Sequence, residues 1–378
     1  MKKKISSHAI LPGLGAIALP LMFLGTAQAQ PQLVPVPEYT LESVNSEIMM
    51  PWGMAWLPNG DMLVTERTGN LYRLSNGEAG DPISGLPDIH VNGQGGLLDI
   101  VLHPQYESNG WLYISFSDPS GEGEGANTTV IRAKLDGDRL TDQEVIYSAE
   151  GNSTRGQHYG GRMVFDNDGY LFFSIGDRGD HFTNVQDLSR DGGKIYRLHD
   201  DGRIPSDNPF VNDDGARAAI WSYGHRNPQG IDIHPDSGEV WASEHGPRGG
   251  DEINIARAGL NYGWPEIGYG INYNGEPLAP NTEAEGMEQP IWYWNPSIAV
   301  AGMTFVTSDR YPELSNDLLV GGLAGARLVW LEIQGDRVIR STDLLSDIGR
   351  VRAVSQGPDG YIYLGIEGSG IQRLMPAD

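Results

Sequence analysis

The hydrophobic residues of this chain fall into short runs with the periodicity of strands, and no long stretch has clean helical spacing. One module recurs: a short apolar strand, a turn rich in Pro, Asn, Asp and Gly, and a second strand rich in β-branched and aromatic residues. Its copies are separated by roughly 45 to 75 residues, a period typical of propellers and related arrays. We find six copies, at residues 53–67, 97–117, 161–177, 230–244, 301–322 and 351–367.

A further strand signal follows each module, for example at residues 70–74, 129–135, 194–198 and 328–333. Each repeat therefore has enough strands for a sheet of about four. We predict an all-β fold, a six-bladed β-propeller with four-stranded antiparallel blades. A radial array of this kind hides its sheet edges. The run 38–48 precedes the first module, and we expect it to pair into the last blade and close the ring.

We interpret residues 30–378 as a single propeller domain. Two separate β domains are the alternative, although no Pro/Ser-rich linker or break in charge marks a boundary. The longest connections between modules lie at 178–229 and 245–300. Loops on one rim of a propeller converge on the central channel, so we expect these long connections to line a functional site.

The first 29 residues have the pattern of a signal peptide. Three consecutive lysines near the start are followed by an apolar run, and the small-x-small sequence AQA ends at Ala29, after which we expect cleavage. The alternative is a membrane anchor, but proline and glycine interrupt the run, which is short for a spanning helix. No second apolar stretch approaches that length. We therefore predict an exported, periplasmic protein without a membrane span.

Acidic residues strongly outnumber basic ones. The formal charge of the whole chain is −24, and removal of the three signal-peptide lysines leaves −27. Such a charge argues against nucleic acids and anionic membranes as partners, and it suits calcium. The chain has no cysteine, so the fold must be held by its own core without disulfides.

The segment 221–264, WSYGHRNPQGIDIHPDSGEVWASEHGPRGGDEINIARAGLNYGW, concentrates charge, aromatic residues and glycine. Gly and Pro punctuate it, so most of it should be loop or strand end. An arginine can grip a carboxylate, and nearby oxygen-rich elements suit a hard cation. Our hypothesis is that this segment builds one wall of an anionic cofactor site with calcium beside it.

One histidine has the placement of a general base. His158 lies just ahead of a strand with glycine nearby on both sides, and Asp177 ends the next strand, so the two can meet at one end of a hairpin. The alternative is a histidine that caps a turn. Gln94 also lies in a glycine-rich turn before a module, where backbone can approach a ligand closely.

Three arginines precede or begin predicted inner strands. Arg226 lies before the fourth module, and Arg350 and Arg352 flank the start of the last one, alternating so that both project to one side. Such residues can simply cover apolar surface with their stems. Grouped around one axis, they would instead form a pocket for a ligand with three negative charges.

Several motifs together identify the chain as resembling a known family. The segments GQGGLLDIVLHPQY, GQHYGGRMVF, SIGDRGD, WSYGHRNPQG, SEHGPRGGDEIN, LNYGWP and GRVRAV are similar to those of the soluble aldose sugar dehydrogenases. These are quinoprotein relatives of soluble glucose dehydrogenase that use pyrroloquinoline quinone (PQQ). The resemblance spans about residues 45–375, and the family fold is a six-bladed β-propeller, in agreement with the module count.

The resemblance implies roles for individual residues. His158 matches the catalytic histidine that takes the proton from the sugar C1 hydroxyl, and Asp177 matches the aspartate that orients it. Arg226 matches the arginine over the quinone carbonyl that receives hydride. The residues that match cofactor contacts are Gln94, Arg226, Asn227, Arg350 and Arg352.

The resemblance also implies calcium sites. Gly246 and Pro247 match the pair whose backbone carbonyls bind the calcium of the cofactor. Glu252 and Tyr262 match ligands of a further, structural calcium. The family commonly has a lysine at a cofactor carboxylate where this chain has Ala324, a departure that bears on cofactor affinity.

From these matches we expect a PQQ- and calcium-dependent dehydrogenase that oxidises aldose sugars at C1 to lactones and passes electrons to a separate acceptor. Two alternatives remain at this point. One is a calcium-dependent lactonase-type hydrolase on the same fold. The other is a binding propeller that has lost catalysis, which only the residue at position 324 favours.

Overall fold

The predicted six-bladed β-propeller is confirmed. The computed structural model describes residues 36–279 and 281–376, and within them the strands form six antiparallel sheets of four. The predicted signal peptide lies outside the described residues, and the domain boundaries at 1–29 and 30–378 stay predictions. Among the residues described, no helix has the length and apolar character needed to cross a membrane.

The first half of the chain forms one separate strand and three blades. The separate strand is β1 (Tyr39–Asn45). Blade 1 contains β2 (Pro51–Trp56), β3 (Met62–Glu66), β4 (Asn70–Ser75) and β5 (Glu78–Ala79). Blade 2 contains β6 (Leu97–Leu102), helix α1 (Tyr106–Asn109), β7 (Leu112–Asp118), β8 (Asn127–Asp136) and β9 (Arg139–Ser148). Blade 3 contains β10 (Met163–Phe165), β11 (Leu171–Ile175), helix α2 (His181–Asn184), β12 (Lys194–Leu198) and β13 (Ile220–Tyr223).

The second half forms the other three blades. Blade 4 contains β14 (Pro228–Ile233), β15 (Val240–Glu244), β16 (Asp251–Ile255) and β17 (Trp292–Trp294). Blade 5 contains β18 (Val300–Phe305), a 3₁₀ turn (Pro312–Leu314), β19 (Leu318–Gly322), β20 (Arg327–Gln334) and β21 (Arg337–Leu345). Blade 6 contains β22 (Arg350–Gln356), β23 (Ile362–Glu367) and β24 (Gly370–Pro376).

The ring closes through the two ends of the described chain, as the run 38–48 predicted. Strand β1 pairs antiparallel with β24 and supplies the fourth strand of blade 6, with Tyr39 opposite Pro376 and Asn45 opposite Ile371. This pairing covers a sheet edge that would otherwise be exposed. Residues from 36 onwards therefore form one compact unit, and the arrangement gives no support to two separate β domains.

Apolar side chains fill the spaces between neighbouring blades. Between blades 5 and 6, for example, Trp330 packs with Tyr311 and Leu364 in one buried cluster. The innermost strands of several blades are mostly buried, and every residue of β18 is buried. Full burial of a large apolar side chain contributes about 1.5–3 kcal/mol, which explains how the fold stands without disulfides.

A buried ion pair lies on the axis of the propeller. Arg162 of blade 3 donates from Nη1 to Asp99 Oδ1 in blade 2 at 3.1 Å. Its guanidinium also donates to the backbone carbonyls of Trp52 in blade 1 (3.3 Å), Gln229 in blade 4 (3.0 Å) and Arg352 in blade 6 (3.4 Å). Burial lowers the pKa of Arg162 and raises that of Asp99, and their mutual attraction opposes both shifts. One side chain thus connects five blades.

We expect Asp99→Ala to lower the free energy of unfolding by about 3–5 kcal/mol, because it leaves the buried Arg162 guanidinium without a counter-charge. Urea unfolding measures the effect. The matched control is Asp343→Ala, which breaks the half-exposed Arg327–Asp343 pair and should cost about 0–1 kcal/mol. Similar losses in the two variants would contradict the role of the axial pair.

Candidate active site

The candidate residues meet at one rim of the propeller because of how an antiparallel hairpin is built. The start of a blade's first strand and the end of its second strand lie at the same edge. His158 precedes β10 and Asp177 follows β11 in blade 3. Arg226 precedes β14 in blade 4, and Arg350 begins β22 in blade 6. The connections between these strands carry the polar side chains of the site.

His158 and Asp177 form a buried pair, as predicted. The imidazole Nδ1 lies 2.6 Å from Asp177 Oδ1, and the carboxylate is fully buried. His158 has a φ of 52°, which is uncommon for a residue other than glycine and indicates local backbone strain. A Cβ at Gly176 would collide with the His158 carbonyl, so only glycine fits beneath the histidine.

The second oxygen of Asp177 is also engaged. The indole Nε1 of Trp264 donates to Asp177 Oδ2 at 2.9 Å, and the backbone N–H of Gly179 donates to Oδ1 at 2.6 Å. The ring of His181 lies nearby, with its Nδ1 3.9 Å from Oδ2. The carboxylate is thus held from several sides, which fixes its orientation towards His158.

The surroundings favour the neutral form of His158. Burial lowers its pKa below the ordinary histidine value, and the positive charge of Arg226 works in the same direction, while the hydrogen bond to Asp177 opposes them. Burial disfavours ionisation of Asp177, but His158 and Arg226 outweigh it and lower the pKa of this carboxyl. With Nδ1 donating to an ionised carboxylate, the free Nε2 is a proton acceptor.

A cavity of about 300 Å³ is lined by Tyr159 and Gly160, which directly follow His158, although His158 and Asp177 are not part of the lining. Four predicted cofactor contacts line it: Gln94, Asn227, Arg350 and Arg352. Gln94 Oε1 also accepts the backbone N–H of His158 at 2.8 Å, so one side chain joins the cavity to the candidate base. The carbonyl partners of the axial arginine, Trp52, Gln229 and Arg352, also contribute to the lining of this cavity.

The two arginines of β22 project to the same side, as predicted, and share one carboxylate. Arg350 Nε donates to Glu367 Oε2 at 2.7 Å, and Arg352 Nη2 donates to Glu367 Oε1 at 2.9 Å. Burial opposes ionisation of Glu367, but the arginines outweigh it and lower its pKa. Two guanidiniums facing one carboxylate leave a net positive charge, which suits an anionic ligand.

The structure places Arg226 apart from the other two arginines. It is not part of the 300 Å³ lining; its Nη1 donates to the carbonyls of His245 (3.0 Å) and Gly246 (2.8 Å), and its guanidinium lies 5.4 Å from the Trp264 ring. The three arginines were expected to share one pocket. Instead, Arg350 and Arg352 line the larger cavity, and Arg226 lines the adjoining one. His245 lines both cavities.

The adjoining cavity has a volume of about 20 Å³, the size of one water or ion. The predicted calcium residues Gly246, Pro247, Glu252 and Tyr262 all line it, together with Glu244. Burial and the neighbouring Glu244 raise the pKa of Glu252 to about 8, and the hydrogen bond from Asn254 only partly opposes this shift. Oxygen donors and two buried carboxylates fit a hard cation such as calcium.

The donors at this cavity are mixed in kind. No group of three or more His, Cys, Asp or Glu side chains suited to a metal occurs in the described part of the chain, so backbone carbonyls must supply part of any ligand set. The Tyr262 hydroxyl donates to the carbonyl of Ile255 and accepts the Arg257 N–H at 2.9 Å. The Tyr262 ring stacks on His225, with 4.6 Å between ring centroids.

Ala324 occupies the position of the family lysine. Ala324 is exposed, and its neighbour Leu323 lines the larger cavity. Arg327 pairs with Asp343 on the adjacent strand at 2.6 Å and is not part of the cavity lining.

Sequence reasoning missed four residues of the site. Glu367 and Arg67 line the larger cavity, and Trp264 holds Asp177. The fourth residue is His245, whose Nε2 atom is buried without a hydrogen-bond partner among the described residues. It directly precedes Gly246, which was predicted as a site residue. Glu367 and Arg67 each end a recognised module, so their positions were a usable signal, whereas Trp264 lies in a long connection.

Comparison with known proteins gives one family and close relatives. The family model described as Glucose / Sorbosone dehydrogenase matches residues 48–374. The aldose sugar dehydrogenase YliI of Escherichia coli (strain K12) is 43% identical over 334 residues, which cover 85% of this chain and 90% of that protein.

Solved structures agree with the sequence comparison. The apo form of the soluble aldose sugar dehydrogenase from Escherichia coli has a TM-score of 0.85 and 40% identity, and the match covers 90% of this chain and all of the other. The PQQ-bound form of aldose sugar dehydrogenase from Streptomyces coelicolor has a TM-score of 0.73 and 28% identity, covering 90% of this chain and 99% of that one.

We expect Asp177→Asn to lower the pKa of His158 by about one pH unit or more, because the charge that stabilises the imidazolium is lost while burial and Arg226 remain. NMR titration of ¹⁵N-labelled histidines measures this shift, and the His158 signal is assigned by its loss in His158→Gln. Asp180→Asn, a change three residues away, should leave the titration in place. An unchanged pKa in Asp177→Asn would contradict the pairing.

Proposed function

The chain belongs to the Glucose / Sorbosone dehydrogenase family, and on this premise we propose that it is a PQQ- and calcium-dependent aldose sugar dehydrogenase that oxidises the sugar C1 hydroxyl to a lactone. The observation that carries the proposal is the buried His158–Asp177 pair beside a cavity lined by Arg350 and Arg352. A base and a tricarboxylate binding site are the two elements that this chemistry needs from the protein.

His158 acts as the general base. Its Nδ1 is committed to Asp177, so Nε2 accepts the proton of the C1 hydroxyl as the C1 hydride leaves. Asp177 stabilises the imidazolium that results and keeps the ring in the productive tautomer. The lowered pKa of His158 keeps the imidazole unprotonated, and therefore active, at neutral pH.

PQQ, when bound, supplies the hydride acceptor for this oxidation. Arg350 and Arg352 would hold its carboxylates, and Gln94 and Asn227 would hold neutral oxygens or nitrogens at the edge of the ring system. Arg226 is positioned beside the Gly246 carbonyl, where its charge would stabilise negative charge that develops on the acceptor.

Calcium fits the smaller cavity by the chemistry of its donors. The Gly246 and Pro247 carbonyls would hold one ion next to the cofactor. The further, structural ion expected at Glu252 and Tyr262 would need space beyond this cavity, which has the size of a single ion. A cation in this cavity would offset the unfavourable free energy of placing the Glu252 charge beside Glu244 in a buried position. A calcium ion held there would supply Lewis-acid polarisation of a cofactor carbonyl.

The axis of the propeller disfavours a lactonase that holds calcium in the channel. Arg162 lies there and neutralises Asp99, so this carboxylate is not free to bind an axial ion. The buried contact between His158 and Asp177 likewise counts against a propeller that only binds. A separate electron acceptor and export to the periplasm complete the proposal, and both rest on sequence reasoning alone.

The experiment that tests the proposal is reconstitution of the mature chain with PQQ and calcium, followed by dye reduction with a panel of aldoses. We expect His158→Gln to bind PQQ as the wild type does and to reduce kcat by about 10²-fold or more, the usual contribution of a positioned base. Tryptophan fluorescence quenching measures PQQ affinity independently of turnover.

His234→Gln is the matched control for this variant, since His234 is equally buried and lies beside Trp241 away from the site. It should retain wild-type turnover. Full turnover by His158→Gln would refute the mechanism, and a wild type that binds no PQQ would refute the cofactor assignment.

We expect calcium to raise Tm, because an ion that binds only the folded state stabilises it by about 2.7 kcal/mol at 100 times its Kd. Glu252→Gln should abolish most of this shift, since it removes a buried carboxylate of the smaller cavity. Glu283→Gln, at an exposed carboxylate of the same connection, should preserve it. Thermal unfolding with calcium and with a chelator measures both, and equal shifts in the two variants would exclude Glu252 as a ligand.

A further inference from the structure

A tryptophan from blade 4 reaches across the site to the catalytic pair of blade 3. Trp264 lies in the long connection between β16 and β17, and its side chain is almost fully buried, with 7% of the residue exposed. Its Nε1 donates to Asp177 Oδ2 at 2.9 Å, while Asp177 Oδ1 faces His158 Nδ1 at 2.6 Å. The carboxylate is therefore held between an indole and an imidazole.

The backbone of Trp264 is itself clamped. Its carbonyl accepts Gln186 Nε2 at 2.8 Å, and its N–H donates to the carbonyl of Gly224 at 2.9 Å. Gln186 and Asn261 exchange two side-chain hydrogen bonds, of 3.1 and 2.8 Å. These partners come from the connections of blades 3 and 4, so both blades fix the backbone that carries the indole.

The indole ring also contacts the other candidate catalytic group. The Arg226 guanidinium lies 5.4 Å from the centroid of the Trp264 ring. The ring of His181 packs edge-on against the same indole, with 5.4 Å between the ring centroids. Arg226 donates in turn to the carbonyls of His245 and Gly246. One side chain thus touches the aspartate that orients the base and the arginine beside the acceptor site.

A donor to Asp177 changes the basicity of His158 by a simple route. Each hydrogen bond to the carboxylate disperses its negative charge and weakens its attraction for the imidazole proton. Without the indole N–H, Asp177 would attract that proton more strongly, and His158 would remain protonated at higher pH. A protonated His158 cannot act as a base.

We propose that Trp264 is a positioning residue that orients Asp177 towards His158 and limits the proton affinity of the base, so that His158 is free to accept a proton at neutral pH. This inference deepens the proposed dehydrogenase function and rests on it for the meaning of the base. The hydrogen bonds that Trp264 and His158 make with Asp177 are a property of the folded protein, and they do not depend on the proposed function.

Other charged and titratable groups also face this pair. Arg226 and Arg178 lie close enough to influence the charge of His158, and His245 lies behind Arg226. His181 can also interact with Asp177, because its Nδ1 lies 3.9 Å from Oδ2, the oxygen that accepts the Trp264 indole N–H. We therefore place the test in a His181→Asn background, where only one histidine titrates against this carboxylate.

The test is Trp264→Phe, which keeps an aromatic ring and removes the indole N–H. By NMR titration without cofactor or substrate, the pKa of His158 should rise by roughly 0.5–1 pH unit, the size expected for loss of one hydrogen bond to a carboxylate. In the reconstituted enzyme, the acid limb of the pH profile of kcat/KM should move upwards by the same amount.

Trp241→Phe is the matched control. Trp241 is fully buried in the core beside blade 5, and its Nε1 has no hydrogen-bond partner among the described residues. It should leave both the pKa of His158 and the pH profile unchanged. Equal values in Trp264→Phe and Trp241→Phe would overturn the proposal.

A second measurement needs no variant that could fail to fold. In the wild type, the indole N–H resonance of Trp264 should shift with the same midpoint as His158, because both donate to one carboxylate. An indole resonance that does not follow His158 would overturn the proposal. A wild type that binds no PQQ would instead refute the proposed function, whatever the titration shows, so the two failures are distinguishable.

Discussion

The ion pair on the propeller axis, Arg162 with Asp99, is the interaction on which the rest of the structure depends. Inner strands that converge on a narrow channel leave backbone carbonyls facing one another, and buried carbonyls need donors. The planar guanidinium supplies several donors at once. Its carbonyl partners, which include Gln229 and Arg352, also line the larger cavity. The pair that holds the blades together therefore also fixes the floor of the site.

The site brings together charged groups, and each needs a group of opposite charge nearby because an unpaired buried charge is unfavourable. The chain is strongly acidic, with a formal charge of −24, yet the larger cavity faces two arginines that share Glu367. The smaller cavity has the opposite character, since Glu244 and Glu252 are buried there together. An anionic cofactor next to a calcium ion would complement both cavities, because each would meet charge of the opposite sign.

The polar pattern of the chain was sufficient to predict the contact between His158 and Asp177, but not the other groups that hold the carboxylate. His158 and Asp177 could be paired from the sequence because both belong to one hairpin, whose geometry is local. Trp264 reaches the same carboxylate from a connection 87 residues away. Nothing in its spacing points to blade 3, and its sequence surroundings matched a family motif without indicating a contact.

The sequence by itself determined the number of blades, the way the ring closes and the rim that carries the site, because strand periodicity, turn residues and hairpin geometry are properties of short segments. Only the tertiary structure decided how the rim is divided. It placed Arg226 in a smaller cavity with Gly246, apart from Arg350 and Arg352, and it put Trp264 behind Asp177. The direction of a long side chain depends on which blades pack around it, and that packing is set by the closed ring as a whole.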